Sequence, residues 1–196
     1  MYNMNILFID RNFPGQFENL VTELAKNPEH TVTFITNTAK NKIAGVNTVI
    51  YNTPKNLSRT CTLWAKSLED ASFHGEFAAN AATTLLNKGV IPDIIIGKAT
   101  GASMFIKDVF KDVPYLCYFD EFHNVGNLDL TDIQKMALKC QNSNILADLV
   151  SCDVGITPSD EQKNQFPKEF QHKIKVLQIE EYSDFVDSLI NKKELA

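Results

Sequence analysis

Residues 92–103 read PDIIIGKATGAS, and the apolar run at 94–97 within them is the strongest indication of the fold. An uninterrupted apolar run of this kind is typical of a strand buried on both faces, as in a parallel sheet covered by helices. Pro92 and Asp93 mark its start, and a polar, glycine-bearing loop at 98–103 follows it. The stretch therefore predicts a central parallel strand whose carboxyl end carries polar groups.

The same alternation of strand and helix extends in both directions from this strand. Short apolar or β-branched runs predict strands at 5–9, 31–36, 48–51, 94–97, 113–119, 154–157 and 175–178. Helical spacing predicts helices at 16–26, 60–88, 102–110, 130–149, 159–166 and 180–192, with a polar loop at 37–45. Repeated strand–helix units imply right-handed crossovers. We therefore predict an α/β fold, with a doubly wound, Rossmann-like, mostly parallel sheet of six to seven strands.

Length and charge limit the organisation and the partners. The 196 residues contain no repeat or linker, so we expect one domain at 1–196 that includes a C-terminal amphipathic helix at 179–196. Lys and Arg number 19 and Asp and Glu number 24, which gives a net charge of −5. An acidic chain argues against nucleic-acid binding, which needs a cationic surface.

The cysteines and the apolar runs exclude other classes. The four cysteines form no C-x-x-C pair, and no histidine lies at metal-ligand spacing from them. We therefore expect no metal and the reduced thiols of a cytoplasmic protein. Neither a secretory signal nor a run long enough for a transmembrane segment is evident.

Two glycine-bearing loops follow strands that flank the predicted reversal of winding, where doubly wound sheets bind ligands. Because each loop leads into a predicted helix N-terminus, a phosphate or a sugar hydroxyl would be held between them. The alternative is that Gly15 and Gly101 only permit tight turns. Neither loop reads G-x-G-x-x-G or matches a P-loop, which disfavours dehydrogenases and kinases. The candidate binding residues are Arg11, Asn12, Phe13, Pro14, Gly15 and Gln16 in the first loop, and Lys98, Thr100, Gly101 and Ser103 in the second.

A third polar cluster follows the fifth predicted strand and adds Asp120, Glu121 and His123 as candidate binding residues. In extended backbone Asp120 and Glu121 point to opposite sides, so only one would face a cleft. His123 is a candidate base or hydroxyl-binding group, and the alternative is a solvent-exposed loop histidine. The catalytic residues stay unknown. His74 is interpreted as a helix-face residue, beside small side chains that favour close packing on a sheet.

Four longer stretches share the features of one family. They are NILFIDRNFPGQFENL at 5–20, PDIIIGKATGASMFIKDVFKDVP at 92–114, YFDEF at 118–122, and ADLVSCDVGITPSDEQKNQFPKEFQHKIKVL at 147–177. Together they resemble the N-terminal half of bacterial family 4 glycosyltransferases, in the group whose first loop reads N-F-P-G-Q-F. The resemblance covers nearly the whole chain.

The resemblance implies one half of a GT-B enzyme, in which two Rossmann-like domains face a cleft. The N-terminal domain chiefly binds the acceptor, and the C-terminal domain binds a nucleotide-sugar. Such enzymes need no metal or other cofactor and typically retain anomeric configuration. Residues 12–16 would then face the phosphates and sugar of the donor. The loops at 98–103 and 120–123 would shape the acceptor side.

The sequence departs from the family pattern at two places. Lys98 stands where the family usually has a histidine, and residues 178–181 replace an H-D-G-type turn that leads into the donor-binding domain. We therefore expect an acceptor-side domain or subunit of a glycosyltransferase that is inactive without a donor-binding domain.

The expected partners are a donor-binding domain or a second chain, and a saccharide, lipid-linked or protein acceptor in polysaccharide or glycoconjugate synthesis. If the protein is a subunit, Phe13 and Phe17 are expected to be covered by another chain. The alternative from a different class is a non-enzymatic Rossmann-like module that binds a glycan, a nucleotide or a protein partner.

Overall fold

The computed structural model describes residues 3–53, 64–124 and 129–178, together with Glu181, Tyr182, Phe185, Val186 and Ser188. The strands within these residues are β1 (Met4–Ile9), β2 (Asn12–Phe13), β3 (His30–Thr36), β4 (Thr38–Ala39), β5 (Val46–Ile50), β6 (Ile94–Lys98), β7 (Tyr115–Tyr118), β8 (Val154–Thr157) and β9 (Ile174–Val176). Seven of them form one parallel sheet in the order β5-β3-β1-β6-β7-β8-β9. The predicted doubly wound sheet is confirmed.

Helices connect the strands and cover the sheet. They are α1 (Glu18–Leu24), α2 (Lys66–Asn87), α3 (Ile106–Val109), α4 (Asp132–Ser151), α5 (Asp160–Lys163) and α6 (Lys168–Gln171), with a 3-10 turn at Gly15–Phe17 before α1. Tyr182, Phe185, Val186 and Ser188 are helical. The remainder of the helix predicted at 180–192, and residues 60–63 of the helix predicted at 60–88, lie outside the described residues. None of the helices in the described part of the chain is both long and apolar enough to cross a membrane.

The sheet is buried on both faces because its strands carry apolar side chains on each. On β1, Leu7 and Ile9 pack against α2 and α4, while Ile6 and Phe8 pack on the other side, against α1 and Tyr182. Successive side chains of a strand point to opposite faces, so an unbroken apolar run serves both layers. The small side chains of α2 allow close packing: Ala78 and Ala82 are fully buried in the core cluster that includes the sheet, and the buried Ala71 lies against Gly101 of the second loop.

The winding of the sheet reverses between β1 and β6. β1 pairs with β3 on one side and with β6 on the other, and each half then continues outward. At this point adjacent connections leave in opposite directions and open a crevice beyond the carboxyl ends of the strands. The loops that follow β1, β6 and β7 therefore share one edge of the sheet.

The first loop folds back on the sheet in a way that the sequence did not predict. β2 pairs with β4, within the stretch expected to be a polar loop, and forms a second, two-stranded sheet. This pairing turns the Phe13 ring against Phe34, at a centroid distance of 5.0 Å. Phe13 is 3% exposed and Phe17 is fully buried. The expectation that another chain covers these two rings is therefore wrong, because the chain's own core covers them.

Two further predictions about helices are wrong in their bounds. The helix expected at 102–110 is shorter and corresponds to α3 alone. The chain first makes tight turns, in which the Met104 amide donates a hydrogen bond to the Gly101 carbonyl. The helix expected at 159–166 ends at Lys163, and α6 follows it without having been predicted.

Candidate functional site

Asp10 ties together the two loops that flank the reversal of winding. It directly follows β1, is 4% exposed, and accepts hydrogen bonds from the Arg11 amide at 2.7 Å and the Thr100 hydroxyl at 3.0 Å. Burial raises the pKa of this carboxyl, while the two hydrogen bonds and the charge of Lys98 oppose that effect. The hydrogen bond from Thr100 to Asp10 crosses the crevice and therefore holds the first and second loops together.

Arg11 connects the first loop to α2. Its guanidinium makes an ion pair and hydrogen bond with Asp70, one turn before His74 on the same helix. On the other side of His74, the Nδ1 atom lies 2.9 Å from the Tyr51 hydroxyl. We call Arg11, Asp70, His74 and Tyr51 the arginine cluster. It anchors the backbone of the first loop to two neighbouring elements.

Burial and charge in the arginine cluster favour the neutral form of its histidine. Burial, and then the positive charge of Arg11, lower the pKa of His74, although Asp70 opposes them. The separation of 3.9 Å between His74 Nε2 and Asp70 Oδ1 is too long for a strong hydrogen bond. His74 is 9% exposed, so its interpretation as a helix-face residue is wrong. It is a buried partner of Tyr51.

A second cluster joins all three loops. Lys98, at the end of β6, donates a hydrogen bond of 2.7 Å to Gln16 Oε1 and lies 2.8 Å from Asp120 Oδ2. Its ammonium also lies 5.8 Å from the ring centre of Tyr118, within the range of a cation–π contact. We call Lys98, Gln16 and Asp120 the lysine bridge. It brings together side chains that are far apart in sequence. Gln16 lies in the loop after β1, Lys98 ends β6, and Asp120 lies in the loop after β7.

The loop after β7 is fixed by amide side chains. Asn142 of α4 accepts from the His123 amide at 3.0 Å and donates to the His123 carbonyl at 2.9 Å. Gln162 donates to the Asp120 carbonyl at 2.6 Å. The His123 ring is left facing Glu121, with 3.9 Å between Nε2 and Oε1. Glu121 thus lies beside His123 without a close hydrogen bond, while Asp120 pairs with Lys98, which agrees with the prediction that the two carboxylates point apart.

Replacing Asn142 by alanine is expected to loosen this loop without unfolding the sheet. Two hydrogen bonds to one backbone residue are lost, which we expect to cost about 1–3 kcal/mol locally. Hydrogen exchange at the His123 amide should accelerate at least about 10-fold, while the amide of Ile95 in the central strand should keep its rate. Asn80→Ala, at an exposed position of α2, serves as the control. Equal exchange rates in both variants would show that Asn142 does not hold the loop.

The predicted site residues divide into an exposed group and a supporting group. Asn12, Gly15, Asp120 and Glu121 are exposed, and Arg11, Gln16, Lys98, Thr100 and His123 are half-buried. Phe13, Pro14, Gly101 and Ser103 are buried, and the Ser103 hydroxyl donates to the Lys98 carbonyl at 2.9 Å. The three loops therefore meet at one edge, with four of the predicted residues beneath the surface as support.

The helix N-termini contribute less than the sequence predicted. The first loop leads into a 3-10 turn and a helix of 7 residues, and the second into a helix of only 4 residues that begins at Ile106. Short helices have small dipoles, so these N-termini offer less to an anion than longer helices would, and a phosphate or sugar hydroxyl held between the two loops stays a prediction.

Two other sequence predictions concern cysteines and metals. Cys117, Cys140 and Cys152 are free thiols, and Cys61 lies outside the described residues. Within the described ranges, no group of three or more His, Cys, Asp or Glu side chains is arranged to hold a metal ion.

The sheet order and the site at its switch point define a Rossmann-like α/β protein of the kind that forms one half of GT-B glycosyltransferases. The sequence profile of the glycosyl transferase family 4 group matches residues 28–179, which is more than half of the chain. The chain therefore belongs to the glycosyl transferase family 4 group. The matched stretch begins after the first loop, so the resemblance of residues 12–17 to N-F-P-G-Q-F stays a prediction. A search of curated proteins finds no match.

Solved structures share the fold at low sequence identity. UGT2 of Phytolacca americana, complexed with UDP-2fluoro-glucose and pterostilbene, is 13% identical, with a TM-score of 0.53 over 87% of this chain and 52% of that one. HepE of Anabaena, in complex with UDP and glucose, is 11% identical, with a TM-score of 0.53 over 89% of this chain and 44% of that one. A putative UDP-N-acetylglucosamine 2-epimerase from Listeria monocytogenes is 14% identical, with a TM-score of 0.50 over 84% of this chain and 42% of that one. This chain thus spans about half the length of each.

Proposed function

We propose that this chain is the acceptor-side half of a nucleotide-sugar-dependent glycosyltransferase, in the N-F-P-G-Q-F group of family 4. The observation that carries the proposal is the meeting of three loops at the switch point. The lysine bridge joins Gln16, Lys98 and Asp120, and the Asp10–Thr100 hydrogen bond closes the same edge. Ligands of doubly wound sheets bind at this edge.

The donor would be a nucleotide-sugar held by a facing domain, either elsewhere in a longer chain or in a second chain. Membership of the family supports this class of donor. The UDP-2fluoro-glucose and UDP bound by two proteins of similar fold agree with it. In the proposed complex, the exposed Asn12 and Gly15 lie on the donor side. Transfer would retain the anomeric configuration and need no metal, and the protein would act in the cytoplasm in polysaccharide or glycoconjugate synthesis.

The acceptor would bind along the loops after β6 and β7 as a free, lipid-linked or protein-linked saccharide. Arg11 and Lys98, the cations described in the loops after β1 and β6, have carboxylate partners, Asp70 for Arg11 and Asp120 for Lys98. Such pairs present hydrogen-bonding groups without a large net positive charge, so they suit hydroxyl groups better than phosphates. The role proposed for Lys98 is to orient an acceptor hydroxyl together with Asp120.

The 196 residues alone are expected to bind an acceptor and not to transfer sugar. A GT-B reaction needs donor and acceptor held together, and holding two reactants in place supplies a large part of the rate enhancement. Purified chain would be incubated with a panel of nucleotide-sugars and candidate acceptors, and products would be followed by mass spectrometry. Clear turnover by the isolated chain would contradict the proposal that a second half is required. Saccharide binding with no transfer, even after native co-purifying proteins are added back, would favour a non-enzymatic binding module.

A further inference from the structure

We propose that a groove beside the lysine bridge is a second saccharide subsite, so that the acceptor is a neutral oligosaccharide rather than a single sugar. This inference rests on the proposed function. We call the site the amide groove, and its lining includes Glu121, Phe122, His123, Glu161, Asn164 and Gln165.

The amide groove begins one residue from the lysine bridge. The Asp120 carboxylate lies 2.8 Å from Lys98 Nζ, whereas Glu121 lines the groove and faces His123. Asp120 lies at a bend after β7, and the two neighbouring carboxylates face different partners, so one short segment presents a carboxylate to each site. A ligand held at Lys98 can therefore reach the groove by passing over this segment.

The groove is of suitable size and already formed. It is an open cavity of about 500 Å³, within the range of small-molecule sites. Asn142 holds the His123 backbone through two hydrogen bonds, and the ring of Phe122 packs on Phe166 at 5.2 Å. The Gln165 side chain also accepts from the Phe122 amide at 3.4 Å. A ligand would meet a wall that needs little further ordering, which favours binding.

The lining favours a neutral, hydroxyl-rich ligand. Carboxylates accept hydrogen bonds, amides both donate and accept, and the imidazole nitrogens add further hydrogen-bonding positions, so the wall matches groups that both donate and accept. The half-buried ring of Phe122 offers an apolar surface for the C–H face of a sugar. The cavity lining contains Glu121 and Glu161, and Lys168 lines an overlapping hollow that shares most of the same wall, so carboxylates outnumber cations here. A phosphorylated ligand is therefore disfavoured.

An array of neutral mono-, di- and tetrasaccharides, with phosphorylated counterparts, tests the amide groove on the full chain. The wild-type chain should bind a neutral tetrasaccharide at least about 10-fold more tightly than its monosaccharide. Asn164→Ala and Glu161→Ala should each weaken tetrasaccharide binding about 3- to 10-fold, as expected for one lost hydrogen bond, and leave monosaccharide binding unchanged. Asn80→Ala is the matched control, and thermal unfolding of each variant verifies its fold.

The outcomes separate this inference from the proposed function. Monosaccharide binding without any gain from chain length, or tetrasaccharide binding that both variants leave intact, would overturn the subsite alone. Tighter binding of the phosphorylated sugars would overturn the neutral ligand class. Failure of every saccharide on the array to bind the wild-type chain would overturn the proposed function and the subsite together.

Discussion

Gly101→Ala is expected to destabilise the chain by about 3–5 kcal/mol and to detach the first loop from α2. Gly101 has φ +92°, in a region that L-residues rarely adopt, and an added Cβ would lie 2.6 Å from both Cα and Cβ of Ala71. The same Cβ would lie 2.9 Å from Arg11 Nη2, so the ion pair with Asp70 must also shift. Strained backbone contributes about 1–2 kcal/mol of this cost, and overpacking contributes the rest.

Gly89→Ala is the matched control for Gly101→Ala. Gly89 has φ +79°, but an added Cβ would meet no atom within 4 Å. The control therefore carries the backbone cost of about 1–2 kcal/mol without the clash. In thermal unfolding, Gly101→Ala should lower the Tm by roughly 6–20 °C and the control by roughly 2–8 °C, so the loss in Gly101→Ala should be at least about twice that in the control. Equal losses would show that the packing of the second loop on α2 is not tight.

Asp148→Asn is expected to remove a pH dependence of stability worth about 4 kcal/mol. Asp148 lies on α4 with no exposed surface, and its Oδ1 accepts from the Tyr115 hydroxyl at 2.9 Å. Burial raises the pKa of this carboxyl to about 7, although the neighbouring Ser103 hydroxyl and the hydrogen bond from Tyr115 oppose the shift. The carboxyl therefore sits protonated beneath the second loop at mildly acidic pH.

The sign of the effect follows from which state binds the proton more tightly. Because the folded pKa of about 7 exceeds the ordinary value of 3.8, the folded chain holds a proton that the unfolded chain has released between these values. The contribution of Asp148 is thus fully present below about pH 4 and is lost as the pH rises to about 7. Asparagine cannot ionise, so the variant lacks this loss.

Urea unfolding at several pH values between about 4 and 8.5 measures the Asp148 effect. The difference in unfolding free energy between Asp148→Asn and wild type should change in favour of the variant by about 4 kcal/mol across this range. A constant offset from the new amide does not alter that change. The control is Asp112→Asn, at an exposed position. If the curves of Asp148→Asn and wild type stay parallel, Asp148 does not titrate as its burial implies.

The sheet could be predicted from sequence because its strands are apolar throughout. Runs such as Ile94–Gly97 are buried on both faces, and each predicted strand recurs within a few residues of its observed bounds. The loops that meet at the switch point follow from strand order alone, since parallel strands end at the same edge. Asp120 and Glu121 also face different partners, as predicted, although Asp120 lies at a bend and not in an extended strand.

What could not be predicted depends on contacts between distant residues. β2 and β4 have two residues each, too few for any periodic pattern, and their pairing buries Phe13. Asp70 and His74 did leave a signal, because they are polar residues next to the small residues of the buried α2 stripe. Asp148 left a similar one, as a carboxylate beside Leu149 in an apolar turn. A polar residue within or beside a predicted core face therefore indicates a buried polar contact.

An NMR titration tests whether the three loops at the switch point bind the acceptor. The isotope-labelled chain is titrated with the neutral oligosaccharide that binds best on the array. If the loops after β1, β6 and β7 form the acceptor face, amide shifts should concentrate at residues 11–16, 98–103 and 120–123. Lys98→Ala should then weaken binding about 10-fold or more. Amide shifts confined to the opposite edge, where β1, β3 and β6 begin, would show that the acceptor does not bind at these loops. The absence of any saturable shift would show the same.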